Sequence, residues 1–244
     1  MPSITEDGAP ALDLRKWGTL PPMLQPFADG IWVDTRRARF FGVECGTRMT
    51  VVKLSEGGLF VHSPVPLDDY TRRAVDALGE VRAVVAPSIF HHLSVGAWMA
   101  AYPKAYHAAC PGLEWKRPDL AFGGVLGDQE HPIWAGDLDQ VYFSARRENE
   151  VVFFHPRTRT MICADALLNL ADHDMRSTRV VARLMGNTAP GIGHLERFMI
   201  RDRRLARRQV DRIVAWNPDR VVLAHGTLLP GGGREAVERA YAWL

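Results

Sequence analysis

Three short apolar runs in this chain each stop on an ionisable side chain: residues 84–92 read VVAPSIFHH, residues 160–165 read TMICAD and residues 220–226 read RVVLAHG. A fourth run, LFVH, ends on His62. Apolar runs of this length bounded by turn residues predict buried strands, and α/β proteins place ligands at the open ends of such strands. A core strand has no need of an ionisable ending. One such ending is ordinary turn chemistry. For the adjacent pair His91-His92, one exposed histidine beside one core histidine stays open as the alternative to a pair of ligands. Taken together, His91, His92, Asp165 and His225 form a nitrogen-rich, one-carboxylate set that suits a divalent metal, zinc first and iron or manganese as alternatives.

Between these runs the chain alternates strand and helix signals. Residues 30–35, 49–54 and 59–62 predict strands, the last two joined as a hairpin by Ser55-Glu56-Gly57-Gly58. Asp68 or Asp69 then caps a helix with Tyr70, Ala74 and Leu78 on its inner face. A helix follows Ser94, residues 110–136 read as a long loop carrying Trp115 and Trp134, and residues 202–216 predict a helix with its arginines on the outer face. With 244 residues and 47% hydrophobic content, the chain can bury one large core. The expected division is a loosely held arm, residues 1–25, and one domain, residues 26–244. A net charge of +2, from 30 Lys and Arg against 28 Asp and Glu, gives no ground for a nucleic-acid partner. Three scattered cysteines form neither a disulfide framework nor a thiolate metal site, which suits a cytoplasmic protein. No apolar segment approaches the roughly 20 residues of a bilayer span, so no membrane partner is expected.

The order of these motifs resembles the metallo-β-lactamase superfamily, in particular its branches with degenerate motifs and unassigned function. The most specific stretch is EVVFFHPRTRTMICAD, residues 150–165, which reads like the superfamily's hairpin ending on a metal-bridging Asp. The resemblance implies an α/β fold, a four-layer αββα sandwich. In LFVHSP, His62 stands where the superfamily has the Asp of Asp-Thr-Gly. Its HxHxDH signature falls on residues 87–92, where Pro87 and Ile89 replace the two leading histidines and His91 replaces the Asp. The superfamily's third histidine has no counterpart in SARREN, residues 144–149. What survives corresponds to the second of two metal positions, with His91, His92, Asp165 and His225 as ligands.

The expected function is therefore a metal-dependent hydrolase of a small ester, thioester, lactone or phosphoester, with a water on a single ion as nucleophile. His62 and Glu150 are the expected catalytic helpers, through proton transfer or by orienting a ligand; either could instead be a further ligand, and Glu150 reads equally as a plain carboxylate at the start of a strand. His155 reads as a structural histidine, and His173 follows Asp165 closely enough to lie near the mouth of the site. Two alternatives share the fold: a non-haem iron oxidoreductase, and a metal-free module that binds a ligand without turning it over.

Overall fold

The computed structural model describes residues 24–40, 42–145, 147 and 149–244. Most of the expected arm, residues 1–23, lies outside them, whereas Gln25 opens the first strand. Seven strands form the first sheet: β1 (Gln25–Ala28), β2 (Ile31–Arg36), β5 (Thr47–Lys53), β6 (Leu59–His62), β7 (Val81–Ala86), β8 (Tyr106–Ala109) and β9 (Gly124–Val125), adjacent in that order. A small hairpin, β3 (Arg39–Phe40) and β4 (Val43–Glu44), leads into β5. The second sheet orders β10 (Asp139–Phe143), β11 (Glu150–His155), β12 (Thr160–Ile162) and β13 (Arg220–Val222).

Side-chain alternation divides the apolar residues of both sheets into three layers of core. Phe60, Val85, Val151, Phe153, Ile162 and Val222 point between the sheets and meet there. From the outer face of the first sheet, Val51, Val61 and Val84 pack under α1 (Asp69–Asp76), α2 (Val95–Ala101) and α3 (Leu113–Lys116). From the outer face of the second, Val152, Met161 and Val221 pack under α6 (Arg203–Ala215) and α7 (Gly233–Ala240). Two further helices, α4 (Arg176–Leu184) and α5 (His194–Phe198), lie between β12 and α6 in the chain. The result is the expected αββα sandwich. Among the described residues no helix is long and apolar enough to cross a membrane.

Three local expectations are corrected. The buried residues of α1 are Thr71 and Val75, one step along from the Tyr70 stripe, because Thr71 Oγ1 donates to the buried carboxylate of Asp34 at 3.2 Å. The long loop contains α3 and β9, and of its two tryptophans only Trp134 is buried, edge-on to Phe60, while Trp115 is exposed.

Parallel pairing fixes where the site lies. β6 and β7 run parallel in one sheet and β12 and β13 in the other, so all four end at the same edge of the sandwich. There the turn after β7 is tied to the second sheet, since Val151 N donates to Pro87 O at 2.9 Å.

Candidate metal centre

Three of the four predicted ligands meet at that edge. His91 Nε2 lies 3.2 Å from His225 Nε2 and 3.4 Å from Asp165 Oδ2, and His225 Nε2 lies 3.2 Å from Asp165 Oδ1. Each of the three is largely covered but open to solvent on one side, with side-chain exposures of 6%, 15% and 17% for His91, Asp165 and His225. Among the described residues no other trio of His, Cys, Asp or Glu side chains converges in this way.

Each ligand atom is aimed by a contact behind it. Gly46 O accepts a hydrogen bond from His225 Nδ1 at 2.7 Å. A carbonyl can only accept, so Nδ1 carries a proton and Nε2 is the nitrogen that faces the cluster. His91 Nδ1 meets Ser63 Oγ at 2.9 Å, and Ser63 reaches that position with φ of +53° just past the end of β6. Asp165 is positioned by Glu150, whose Oε1 accepts from Ala164 N at 2.6 Å and whose Oε2 accepts from Asp165 N at 3.0 Å. The His225 turn is gripped from both sides. Arg48, buried in β5, donates through Nη1 to Leu223 O and through Nη2 to Gly226 O at 2.8 Å, and Asn169 N donates to His225 O at 3.1 Å. Gly226 has φ of +94°, and a Cβ there would stand 1.8 Å from Asn169 O, so the turn admits only glycine.

The electrostatics favour a cation at the centre. Burial alone would raise the Asp165 carboxyl, but the facing His91 and His225 imidazoles outweigh it and hold the group well below its ordinary value. Burial pulls the His225 imidazole down, yet its hydrogen bonds to Asp165 and to the neighbouring Cys45 thiol carry it up to about 10. Two imidazole nitrogens thus face one carboxylate, and both shifts favour positive charge beside it.

The donor set fits a divalent ion by geometry as well as by chemistry. Ligands at 2.0–2.1 Å around a tetrahedral zinc are separated by about 3.3 Å, the spacing of one triangular face. Here the two Nε2 atoms are 3.2 Å apart and each meets its own oxygen of the Asp165 carboxylate, at 3.4 Å and 3.2 Å, so the edges of the cluster have the length such an ion requires.

The remaining predicted residues lie elsewhere. His92 is buried but turned away from the cluster: its Nδ1 faces Arg117 Nη1 at 3.2 Å, past the end of α3. Burial, then the charges of Lys116 and Arg117, lower it to about 4. Adjacent residues in a short turn diverge, and the histidine that follows the signature is the one lost to the site. His62 sits in the inter-sheet core, edge-on to Phe153, and burial with the nearby His91 lowers it to about 3, which makes it a poor proton acceptor. Glu150 uses both oxygens on backbone N–H groups, so it holds Asp165 in place. His155 is at the opposite end of β11, bonded to Thr158 Oγ1 at 2.7 Å, and His173 is buried with Nδ1 accepting from Met175 N at 3.1 Å. Ser63, Gly46 and Arg48 carried no motif in the sequence. Their roles follow from register, which brings the start of β5 and the end of β6 against the ligand turns.

Solved structures share this architecture. The metallo-β-lactamase DIM-1 matches 93% of this chain over 99% of its own, at 15% identity and a TM-score of 0.64. A metallo-β-lactamase from Erythrobacter litoralis matches 91% of this chain over 96% of its own, at 14% identity and a TM-score of 0.64. FIM-1 from Pseudomonas aeruginosa, solved in its mono-zinc form, matches 91% over 94%, at 14% identity and a TM-score of 0.62. At such identities the match shows the fold, and the fold is that of the metallo-β-lactamases. No curated protein matches the chain in sequence. The family described as a domain of unknown function, DUF4336, matches residues 28–185, from the first sheet through α4, and the chain belongs to that family.

Proposed function

We propose that the protein is a metal-dependent hydrolase with a mononuclear centre held by His91, Asp165 and His225. The observation that carries this reading is the convergence of two imidazole nitrogens on the two oxygens of one carboxylate at 3.2–3.4 Å, with each side chain held from behind. When bound, the ion supplies Lewis acidity and a water of lowered pKa. Two neutral imidazoles and one carboxylate leave a local charge of +1, which favours that lowering. Pro87 and Ile89 offer no donor where the superfamily's other metal is held, and this supports a single ion.

The chain's own groups do the positioning. His91 and His225 present Nε2 to the centre because Ser63 and Gly46 occupy their Nδ1 atoms. Asp165 binds and orients as an anion, with Glu150 fixing its backbone. A small ester, thioester, lactone or phosphoester would bind with its electrophilic atom against the ion. Cytoplasmic location and a small-molecule substrate belong to the same proposal.

The two-histidine, one-carboxylate set is also the donor set of non-haem iron oxygenases, which gives the oxidoreductase reading a specific footing. Elemental analysis decides among the readings. The hydrolase reading expects about one zinc per chain, lost in His225→Ala and kept in His92→Ala. Iron at the same ratio, with oxidative and no hydrolytic turnover, moves the site to the second reading. A ratio near two, or a protein that takes up no zinc, iron or manganese, overturns the mononuclear centre.

A further inference from the structure

The outer surface of α4 is built the wrong way round for a helix whose only contact is the core. At 100° per residue, Thr178 and Ala182 share one face and Val180 and Leu184 share the opposite one. The small pair is buried, with Thr178 Oγ1 donating to Glu44 O at 2.7 Å, while Val180 and Leu184 are 57% and 75% exposed. The apolar stripe therefore looks at solvent. Beyond the helix end His194 N donates to Met185 O at 2.7 Å, which brings the start of α5 beside the end of α4. Leu195 and Phe198, one turn apart on α5, are 39% and 73% exposed. Six of the twelve large apolar side chains exposed among the described residues fall between residues 175 and 198. A monomeric surface scatters such residues singly, whereas a contiguous patch marks a docking face.

Charge identifies the occupant. Residues 176–204 contain seven arginines against Glu196 and Asp202, an excess of five positive charges in a chain whose net charge is +2. Arg176 and Arg183 flank the Val180 and Leu184 stripe and are exposed, as are Arg197, Arg201, Arg203 and Arg204 beyond it. A second copy of the chain would press like charges together. Peptides that dock on helices bury their anchors in a concave groove, whereas these side chains project outward from two short helices. Outward apolar side chains rimmed by arginines are the composition of an interfacial helix lying on anionic lipid.

We propose that α4 and α5 form a peripheral docking face for an anionic lipid bilayer, with Val180, Leu184 and Phe198 entering the headgroup region and the surrounding arginines meeting lipid phosphates. Surface attachment needs no spanning helix, which is all that the expectation of no membrane partner rested on. The buried face of α4 stands on the β3–β4 hairpin, where Thr178 Oγ1 donates to Glu44 O.

Co-sedimentation of the full chain with vesicles tests this. Phosphatidylcholine vesicles with about one third phosphatidylglycerol should bind the protein at low salt and release it at high salt, and phosphatidylcholine alone should bind it weakly. The double substitution Leu184→Glu, Phe198→Glu should lower the partition about tenfold or more, with melting temperature and metal content unchanged. Arg183→Gln should lower it about fivefold. Trp115→Glu, at an exposed apolar residue of α3, should leave it as it is. Failure to bind anionic vesicles overturns the proposal, as does equal binding by the double variant. A wild-type dimer that the double variant converts to monomer, or capture by an acidic peptide without binding to vesicles, overturns it too.

Discussion

His225 has one nitrogen committed to a carbonyl and the other to the cluster, and that division of labour makes the backing residues as important as the ligands. Removing Ser63 Oγ or the Arg48 clamp frees a ring or a turn without deleting a donor atom. Ser63→Ala and Arg48→Met are each expected to weaken zinc binding by about 10- to 100-fold, the usual effect of losing a partner behind a ligand. Competition with a chromophoric chelator measures this, and a variant that binds like wild type would show that its contact positions nothing. Glu150→Gln tests a different kind of support. The amide would set an NH2 group against one of two backbone donors now satisfied at 2.6 and 3.0 Å, so about 1–3 kcal/mol of stability should be lost along with zinc affinity. At this scale the sequence was readable where a residue type announced its chemistry. Asp165 and His225 stood out at strand ends, and His91 stood out as half of a pair. Nothing in the letters said which half turns inward, because that depends on the backbone path between Ser88 and Val95. Gly46 and Ser63 stayed silent because a carbonyl and a hydroxyl are on offer throughout the chain.

Elements were legible in proportion to how local their causes are. β6 has the predicted bounds because turn residues punctuate it on both sides. The inner face of α1 was shifted because a polar contact with Asp34, thirty-odd positions earlier in sequence, chose it over the apolar period. The inverted stripe of α4 was invisible for the same reason: periodicity reports that a helix has an apolar face and is silent on which way that face points. The two loop tryptophans give a direct comparison. Trp134 Nε1 donates to Gln140 Oε1 at 2.9 Å and its ring packs on Phe60 and Phe153. Trp134→Ala should cost about 3–5 kcal/mol by denaturant unfolding. Trp115→Ala, at 82% exposure, should fall within about 0.5 kcal/mol of wild type, and a large loss there would mean that the exposed ring packs on something the fold does not show.

The whole molecule carries a pH signature, because its neutral buried histidines and His225 titrate with opposite signs. His62 is lowered to about 3 and His92 to about 4, and burial also lowers His107, His155 and His173. These imidazoles are neutral when folded and protonate more readily when unfolded. The stability they contribute is complete above the unfolded value near 6.5 and is lost as pH falls. For His62 alone the loss at pH 5 is about 2 kcal/mol, from 1.36 kcal/mol per unit of pH below 6.5. His225, raised to about 10, works the other way: its contribution is complete below about 6.5 and is lost as pH climbs toward 10. The melting temperature of the metal-free protein should therefore peak near neutrality and fall on both sides. His62→Leu, which keeps an apolar body against Phe153, should flatten the acid limb alone. In the proposed centre zinc would take the place of the His225 Nε2 proton, so its affinity should rise with pH and saturating zinc should raise the melting temperature more at pH 8 than at pH 6. Melting curves across this range, with and without zinc, separate the two limbs. An alkaline limb that zinc does not lift would remove His225 from the metal centre, and an acid limb unchanged in His62→Leu would mean that His62 is not buried in its neutral form.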